Sequence, residues 1–446
     1  MTPVLFIAYH FPPIGGAGVQ RSEKFVQYLP QEGYLPVVVT GPGPSAGHWT
    51  PNDDRLGADL SGNIRVLRAA GPVPQPNGRW TTKLSRWTAR PDEFSQWWVT
   101  AGDRAATEAL HNAELIFATM SPFSTAEFAA SLAQRAGIPW IADLRDPWAL
   151  DEMQIYPSGI HRTIERSRMR RLLSTAAGIV MNTPEATNVL QSAFPEFRNK
   201  KVATITNGYD AVDFARPAAP RSDRKFRIVH TGYLHTEMGL QTRHRRRFYG
   251  LLGGMETGVD IATRSHLFLL QAVERWTSRR PEVLPDLEIM FAGVATERDK
   301  EVAADSAVAK CVRFTGYLSH TDSVELVRRA DLLFLPMHNL PAGKRSRIVP
   351  GKTYEYMASG RPILAAVPNG DARDFLEKSG TALICQPDDA AGMADQLDKA
   401  YSAWKQGSSH PNPNWDFIQT FERSRLTHRL AEFFNDVLAT KLTVAV

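Results

Sequence analysis

The sequence predicts an α/β protein built from two doubly wound halves, and three observations carry that prediction. The first forty residues alternate buried strand, glycine turn, amphipathic helix and buried strand. A second strand–helix series begins near residue 226. Between the two series lies a short polar stretch, 213–225, that holds Pro217 and Pro220. Parallel strands need a long crossover, so this alternation implies parallel sheets covered by helices. At 446 residues the chain also exceeds one ordinary core.

The elements follow in order. Residues 4–9 form an apolar run suited to a strand buried on both faces. Phe11 to Gly18 is a proline- and glycine-rich turn. Over 20–31 the apolar Phe25, Val26 and Leu29 recur at helical spacing, and 35–40 reads as the next strand. Residues 41–92, dense in Pro and Gly and punctuated by Trp49, Trp80 and Trp87, are expected to form a long loop with short helices. The alternation then resumes, with helices at 98–111, 124–136 and 160–176 and strands at 115–119, 140–144, 178–181 and 202–206. Beyond the linker the strand–helix series runs through 226–230, 267–275, 287–292, 312–315, 323–329, 332–335, 353–358 and 363–366. A last helix is expected over 416–438.

Composition narrows the class. Hydrophobic residues make up 43% and charged residues 22%, as in ordinary globular proteins. The 52 basic and 47 acidic residues give a net charge of +5. That mild excess suits an anionic substrate or an anionic membrane surface and is too small to point to nucleic acid. Two cysteines, Cys311 and Cys385, exclude a disulfide scaffold and fit a reducing cytoplasm. The start has no basic n-region, and its apolar run is short for a signal peptide. No run approaches the roughly 18 apolar residues that span a bilayer. Any membrane contact is therefore expected to be peripheral, at the inner face.

Two motifs carry chemistry. Gly15 and Gly16 sit between a strand and a helix, where glycine lets a ligand approach the backbone and helix N–H groups meet phosphate. An ordinary βα turn is the alternative, and the spacing is not that of a dinucleotide site, since it lacks the third glycine of G-x-G-x-x-G. The second motif runs from Pro350 to Leu364. Pro350 and Gly351 open a helix and Gly360 closes it. Lys352 can donate to a phosphate at that start. Glu355, three residues on, shares its face and can accept both hydroxyls of a ribose. A capped helix with solvated charges is the alternative.

Taken together these stretches resemble GT-B glycosyltransferases of the large family-four group. Pro350 to Pro362 is similar to their donor-binding helix, and Gly15-Gly16 to their phosphate loop. Pro91 to Trp98, Ala142 to Trp148 (Asp-x-Arg-Asp-Pro-Trp), Ile205 to Asp210, Phe314 to His320 and Val327 to Leu335 resemble further family segments in the same order. The likeness spans nearly the whole chain. It implies two Rossmann-like domains facing across a cleft, 1–215 on the acceptor side and 216–410 for the donor, with 411–446 as a helix returning to the first domain.

The resemblance also implies site roles. Gly15, Gly16 and Gly232 would face the donor diphosphate. Lys352, with Thr353 beside it, would bind the diphosphate, and Glu355 the ribose. Thr315, Gly316 and Tyr317 would line the base pocket. Asp143, Arg145 and Asp146 would lie near the sugar or acceptor, with Glu127 a further catalytic candidate. No metal and no other cofactor is expected. The implied activity is retaining transfer from a UDP- or GDP-linked sugar to a carbohydrate or lipid-linked acceptor. The alternatives are a nucleotide-sugar epimerase on the same fold and a non-catalytic relative that binds a polyanion.

The sequence departs from the family on the sugar side. Arg347 stands where many relatives carry a Glu. Ala126, with Glu127 beside it, replaces a common His, and Tyr233 a common Arg. Two basic clusters also stand out. Residues 243–247 lie in an insertion, and Arg162, Arg166, Arg168, Arg170 and Arg171 share one helix whose Leu172 and Leu173 make it amphipathic. Each reads either as a solvated face or as contact with phosphate or a membrane.

Overall fold

The computed structural model describes residues 1–43, 53, 56–57, 60, 64–74, 84–407 and 412–444. Trp49 and Trp80 lie outside these residues. The chain divides into two compact units. The first comprises 1–208, 252–255 and 423–446, and the second 209–251 and 256–422.

The first unit is built on seven parallel strands. They are β1 (Thr2–Ala8), β2 (Tyr34–Thr40), β3 (Arg65–Arg68), β4 (Leu115–Met120), β5 (Trp140–Leu144), β6 (Gly178–Met181) and β7 (Lys201–Thr204), in spatial order β3-β2-β1-β4-β5-β6-β7. Alternate side chains of β1 enter opposite helical layers. Leu5 and Ile7 join Trp98, Phe128 and Leu132 on one face. Val4, Phe6 and Ala8 meet Phe25, Val26 and Leu29 on the other, together with Leu426, Leu430 and Phe434 of helix Arg423–Val444. This last helix is therefore part of the first unit's core.

Strand β3 falls inside the expected 41–92 loop. Its Val66 and Leu67 point to opposite faces and are each half-buried, which is enough for an edge strand beside β2. Helix Glu93–Leu110 starts five residues before the expected 98, because the Asp92 carboxylate accepts from Ser95 N (2.7 Å) as its N-cap.

The second unit has six parallel strands: β8 (Phe226–Thr231), β9 (Leu287–Ala292), β10 (Val312–Gly316), β11 (Leu332–Pro336), β12 (Ile363–Ala366) and β13 (Ala382–Cys385). Their order is β10-β9-β8-β11-β12-β13. Strand β13 and helices Asp371–Ser379 and Ala390–Lys405 complete the sheet beyond the elements read from the sequence. This unit starts at Tyr209 rather than 216. Tyr209 is buried with Tyr354, Ile418 and Phe421, and its N–H donates to Phe421 O (3.2 Å). That contact also moves the end of the unit from 410 to Glu422. The insertion forms a helix, Thr236–Leu251, in which Arg243 is paired with Asp260 (2.6 Å). The side chains of Arg246 and Arg247 lie outside the described residues.

Candidate functional site

In an open parallel sheet, ligands bind where the strand order reverses, because neighbouring connections leave on opposite faces and open a crevice. In the second unit that point lies between β8 and β11. Three glycines clear its floor. Gly232, Gly293 and Gly316 follow or end β8, β9 and β10, with φ of 104°, 142° and 75°. Gly293 N donates to Gly316 O (2.9 Å), and Gly232 N to Ala292 O (2.6 Å). A Cβ on Gly293 would lie 2.6 Å from Gly232 O. Gly293→Ala is therefore expected to cost about 1–3 kcal/mol through a disfavoured φ and a backbone clash, read as a lower urea midpoint.

Helix Lys352–Ala358 approaches the same point. Pro350 and Gly351 start it, and Tyr354, Tyr356 and Met357 bury its inner face. The Tyr356 hydroxyl accepts from Thr231 N (2.9 Å), which fixes the helix to the end of β8. Lys352 and Glu355 remain half-buried at the opening. Lys352 Nζ lies 3.1 Å from His230 Nε2, and His230 Nδ1 lies 3.0 Å from Phe334 O. The carbonyl requires the proton on Nδ1, so Nε2 accepts from the ammonium and His230 is neutral. Burial and then the Lys352 charge hold its pKa well below the usual value.

The local field is positive. Burial, followed by repulsion from Arg264, lowers the Lys352 pKa to about 7, while Glu355 pulls it upward. His235 is pushed down to about 2 by burial and then by Arg264 and Lys352. Arg264 is placed by its carbonyl, which accepts from His235 N (3.0 Å). The buried Nδ1 of His235 has no hydrogen-bond partner. Two cations, an imidazole with an unfilled polar atom and one carboxylate thus surround a glycine-lined opening, an arrangement an anion would complete.

The remaining second-unit residues divide. Thr315, Gly316 and Tyr317 are exposed at the end of β10. Thr353, expected to contact the donor, is fully buried, and its N–H is spent on Pro350 O (3.0 Å). Its buried Oγ1 has no hydrogen-bond partner. Arg347 makes a two-pronged ion pair with Glu256, both contacts at 3.1 Å.

The first unit reverses between β1 and β4. Gly16, at φ 109°, opens helix Ala17–Tyr28 there, and Gly15 is buried beside it. Arg145 is half-buried and braces this end of the sheet. Its Nε donates to Met120 O (2.6 Å) and its Nη1 to Gly18 O. A Cβ on Gly18 would collide with that guanidinium, which explains the third glycine of the turn. Burial and then Arg145 lower the His10 pKa to about 4.

Asp143, expected near the sugar or acceptor, is engaged by an arginine. It is fully buried, and both of its oxygens accept from Arg21, at 2.7 and 3.2 Å. Arg21 also donates to Thr206 O (2.6 Å) and Ile205 O (2.9 Å). Of the Asp-x-Arg-Asp triplet only Asp146 is exposed. Glu127 is bound to Arg168 (3.0 Å), which also holds Glu165 (3.2 Å). Next to the triplet, Trp148 adopts φ 51° and stacks on Phe123 with centroids 4.9 Å apart. A buried aromatic in the left-handed region is strained, and such strain gathers at functional sites. Among the described residues, no three His, Cys, Asp or Glu side chains are grouped as a metal ion would require.

Residues 253–403 match the family model "Glycosyl transferases group 1". Glycogen synthase of Mycobacterium tuberculosis is 30% identical over 112 residues, a quarter of each chain, so the chain spans only about a quarter of the curated relatives it matches. Similar solved structures cover both units. Anabaena HepE in complex with UDP and glucose is 16% identical, with TM-score 0.60 over 98% of this chain and 100% of that one. Sucrose-phosphate synthase from Thermosynechococcus elongatus is 14% identical, with TM-score 0.66 over 99% and 100%. The trehalose 6-phosphate synthase of Burkholderia multivorans is 12% identical, with TM-score 0.62 over the full length of both. This chain has the GT-B fold, and the match to the group 1 model lies almost wholly within its second unit.

Within that GT-B framework, Arg264, His235, Gly293 and, in the first unit, Asn182 escaped the sequence reading. Asn182 Nδ2 donates to Arg145 O (2.7 Å), and its Oδ1 accepts from Asn207 N (2.9 Å). It thereby joins the Asp-x-Arg-Asp and Asn-Gly turns. The one available signal was positional: an Asn directly after β6, at a strand's C-terminal end, where sites of open α/β sheets gather.

Proposed function

We propose that this GT-B protein transfers a sugar, with retention, from a UDP- or GDP-linked donor to a carbohydrate or lipid-linked acceptor. The observation that carries the reading is Lys352 Nζ standing against the Gly232 turn, next to Gly293, with Arg264 near enough to lower the lysine's pKa. A diphosphate fits this field, and two fixed cations stabilise the charge that develops on the departing nucleotide. Arg264 supplies the second cation that Tyr233 does not. Glu355, one turn from Lys352, accepts the ribose hydroxyls, and the open end of β10 receives the base. Asp146 is assigned to the sugar or acceptor side. The UDP bound in HepE belongs to that protein and supports the donor class here.

The test is a mass-spectrometric screen of UDP- and GDP-sugars with the purified protein. Donor turnover that yields a glycosylated acceptor supports the reading. Interconversion of the nucleotide-sugar without an acceptor would replace it with the epimerase alternative.

The pH dependence follows from Lys352. Its pKa is depressed to about 7 in the free protein, and a bound diphosphate favours the ammonium and raises it. Below pH 7 the group is already charged, so UDP affinity is level. Above pH 7 binding must take up a proton, and affinity falls by up to about tenfold per pH unit. Calorimetry at pH 8 in buffers of differing ionisation enthalpy is expected to show that uptake. Proton-neutral binding would contradict it.

A further inference from the structure

We propose that a face of the first unit formed by Leu84, Trp87, Ile160 and Ile164 docks on an anionic lipid bilayer. The inference goes beyond sugar transfer and does not depend on it. Helix Gly159–Thr175 buries Met169, Leu172 and Leu173 against the first unit's core. The two leucines that made the helix amphipathic in sequence therefore face inward and are not available to a membrane. Ile160 and Ile164 lie one turn apart on the opposite side, 72% and 45% exposed. Ser167 and Arg171 continue that stripe along the helix.

A second segment extends the apolar face. Trp87 and Leu84, at 52% and 64% exposure, lie on a short helical turn beside the helix start. This turn is anchored. His161 Nε2 lies 2.8 Å from Trp87 O, and the two rings meet edge-on at 5.5 Å. Arg86 donates to Ile155 O (3.2 Å). The rings and aliphatic chains are thus held outward and have not strayed from a core.

Charge selects the partner. Helix Gly159–Thr175 carries five arginines and a single carboxylate, Glu165. Arg168 is taken by Glu127 and Glu165, and Arg170 by Glu196. Arg162 donates to Gln154 O (2.9 Å). Arg171 is exposed on the Ile160–Ile164 side of the helix, and Arg86 and Arg90 on the adjoining turn, whereas Arg166 lies over the Phe194 ring (5.9 Å) on another side. Exposed apolar groups beside Arg86, Arg90 and Arg171 match a phospholipid surface. Tryptophan and isoleucine enter the headgroup boundary, while the guanidinium groups meet lipid phosphates and keep their stems on the apolar layer. Each signal is weak alone, and together they give reversible attachment.

Vesicle flotation of the full chain tests this. Vesicles of phosphatidylcholine with about 30% phosphatidylglycerol are expected to carry the protein, pure phosphatidylcholine at least about tenfold less, and high salt is expected to release it. The double variant Ile160→Glu/Ile164→Glu should lose at least about tenfold of the bound fraction with an unchanged melting temperature. Arg90→Glu/Arg171→Glu should remove the preference for phosphatidylglycerol. If the glutamates unfold the helix, Ile160→Ser/Ile164→Ser serves the same purpose. No flotation of the unmodified protein at low salt, or equal flotation of the variants, overturns the proposal. So does a concentration-dependent dimer in sedimentation that the double variant abolishes, because a second copy would then cover the face.

Discussion

Replacing Lys352 by alanine is expected to weaken UDP binding by roughly 30- to 150-fold, the loss of about 2–3 kcal/mol for a charged hydrogen-bonded contact. The amine sits 3.1 Å from His230 Nε2 and near the Gly232 backbone, so it is held in place before the ligand arrives. Its lowered pKa reflects burial and Arg264, both of which a diphosphate offsets. Arg264→Ala should act in the same direction. The two losses should sum to less than their separate values, because both groups serve one anion. Lys352→Arg is not expected to rescue binding. A Cβ at Gly232 would already lie 2.8 Å from Nζ, which leaves little room for a planar guanidinium. UDP affinity unchanged in both alanine variants, measured by calorimetry, would falsify the assignment of this opening to the nucleotide.

The largest stability loss is expected at Asp143→Ala, about 3–5 kcal/mol in urea unfolding of the first unit. The carboxylate is fully buried, and it is the charge partner of a guanidinium that is itself only 4% exposed. Removing it leaves Arg21 buried and uncompensated. The double replacement Arg21→Met/Asp143→Leu should recover much of the loss, because apolar groups of similar size need no partner. The contrast separates this residue from a catalytic one. UDP binding in the second unit should survive in the double variant, and equal destabilisation in single and double variants would remove the ion pair as the cause.

These two residues show what the sequence could express. Lys352 was legible because Pro350, Gly351 and Gly360 punctuate the chain around it, and helix boundaries are local. Gly232 was legible for the same reason, as a glycine one residue past a strand. Asp143 lies on β5 as expected, and its pairing with Arg21 had no sign in the sequence. An acidic residue in an Asp-x-Arg-Asp run looks the same whether it meets a ligand or an arginine 122 positions away. Arg264 and Gly293 depend on pairings across the sheet, Gly293 with Gly232 and Gly316, and on a turn at the end of an insertion. Gly293 follows β9 just as Gly232 follows β8, so its position was legible too, but these pairings and the placing of Arg264 have no local signature. The inward direction of Leu172 and Leu173 was hidden too, because helical spacing marks an apolar face without saying what covers it.

The seating of helix Arg423–Val444 within the first unit bears on how the protein is made. One side of β1 and β4 is covered by Leu426, Leu430 and Phe434, which leave the ribosome after the whole second unit. At roughly 5–20 residues per second, the stretch from 209 to 422 occupies the ribosome for about 10–40 s. For that interval Val4, Phe6 and Phe117 lack the cover this helix supplies, and at its end the second unit holds nearly all of its own chain while the first still awaits its last helix. The half that is synthesised first is therefore the half that folds last, and it is the one that would meet a chaperone.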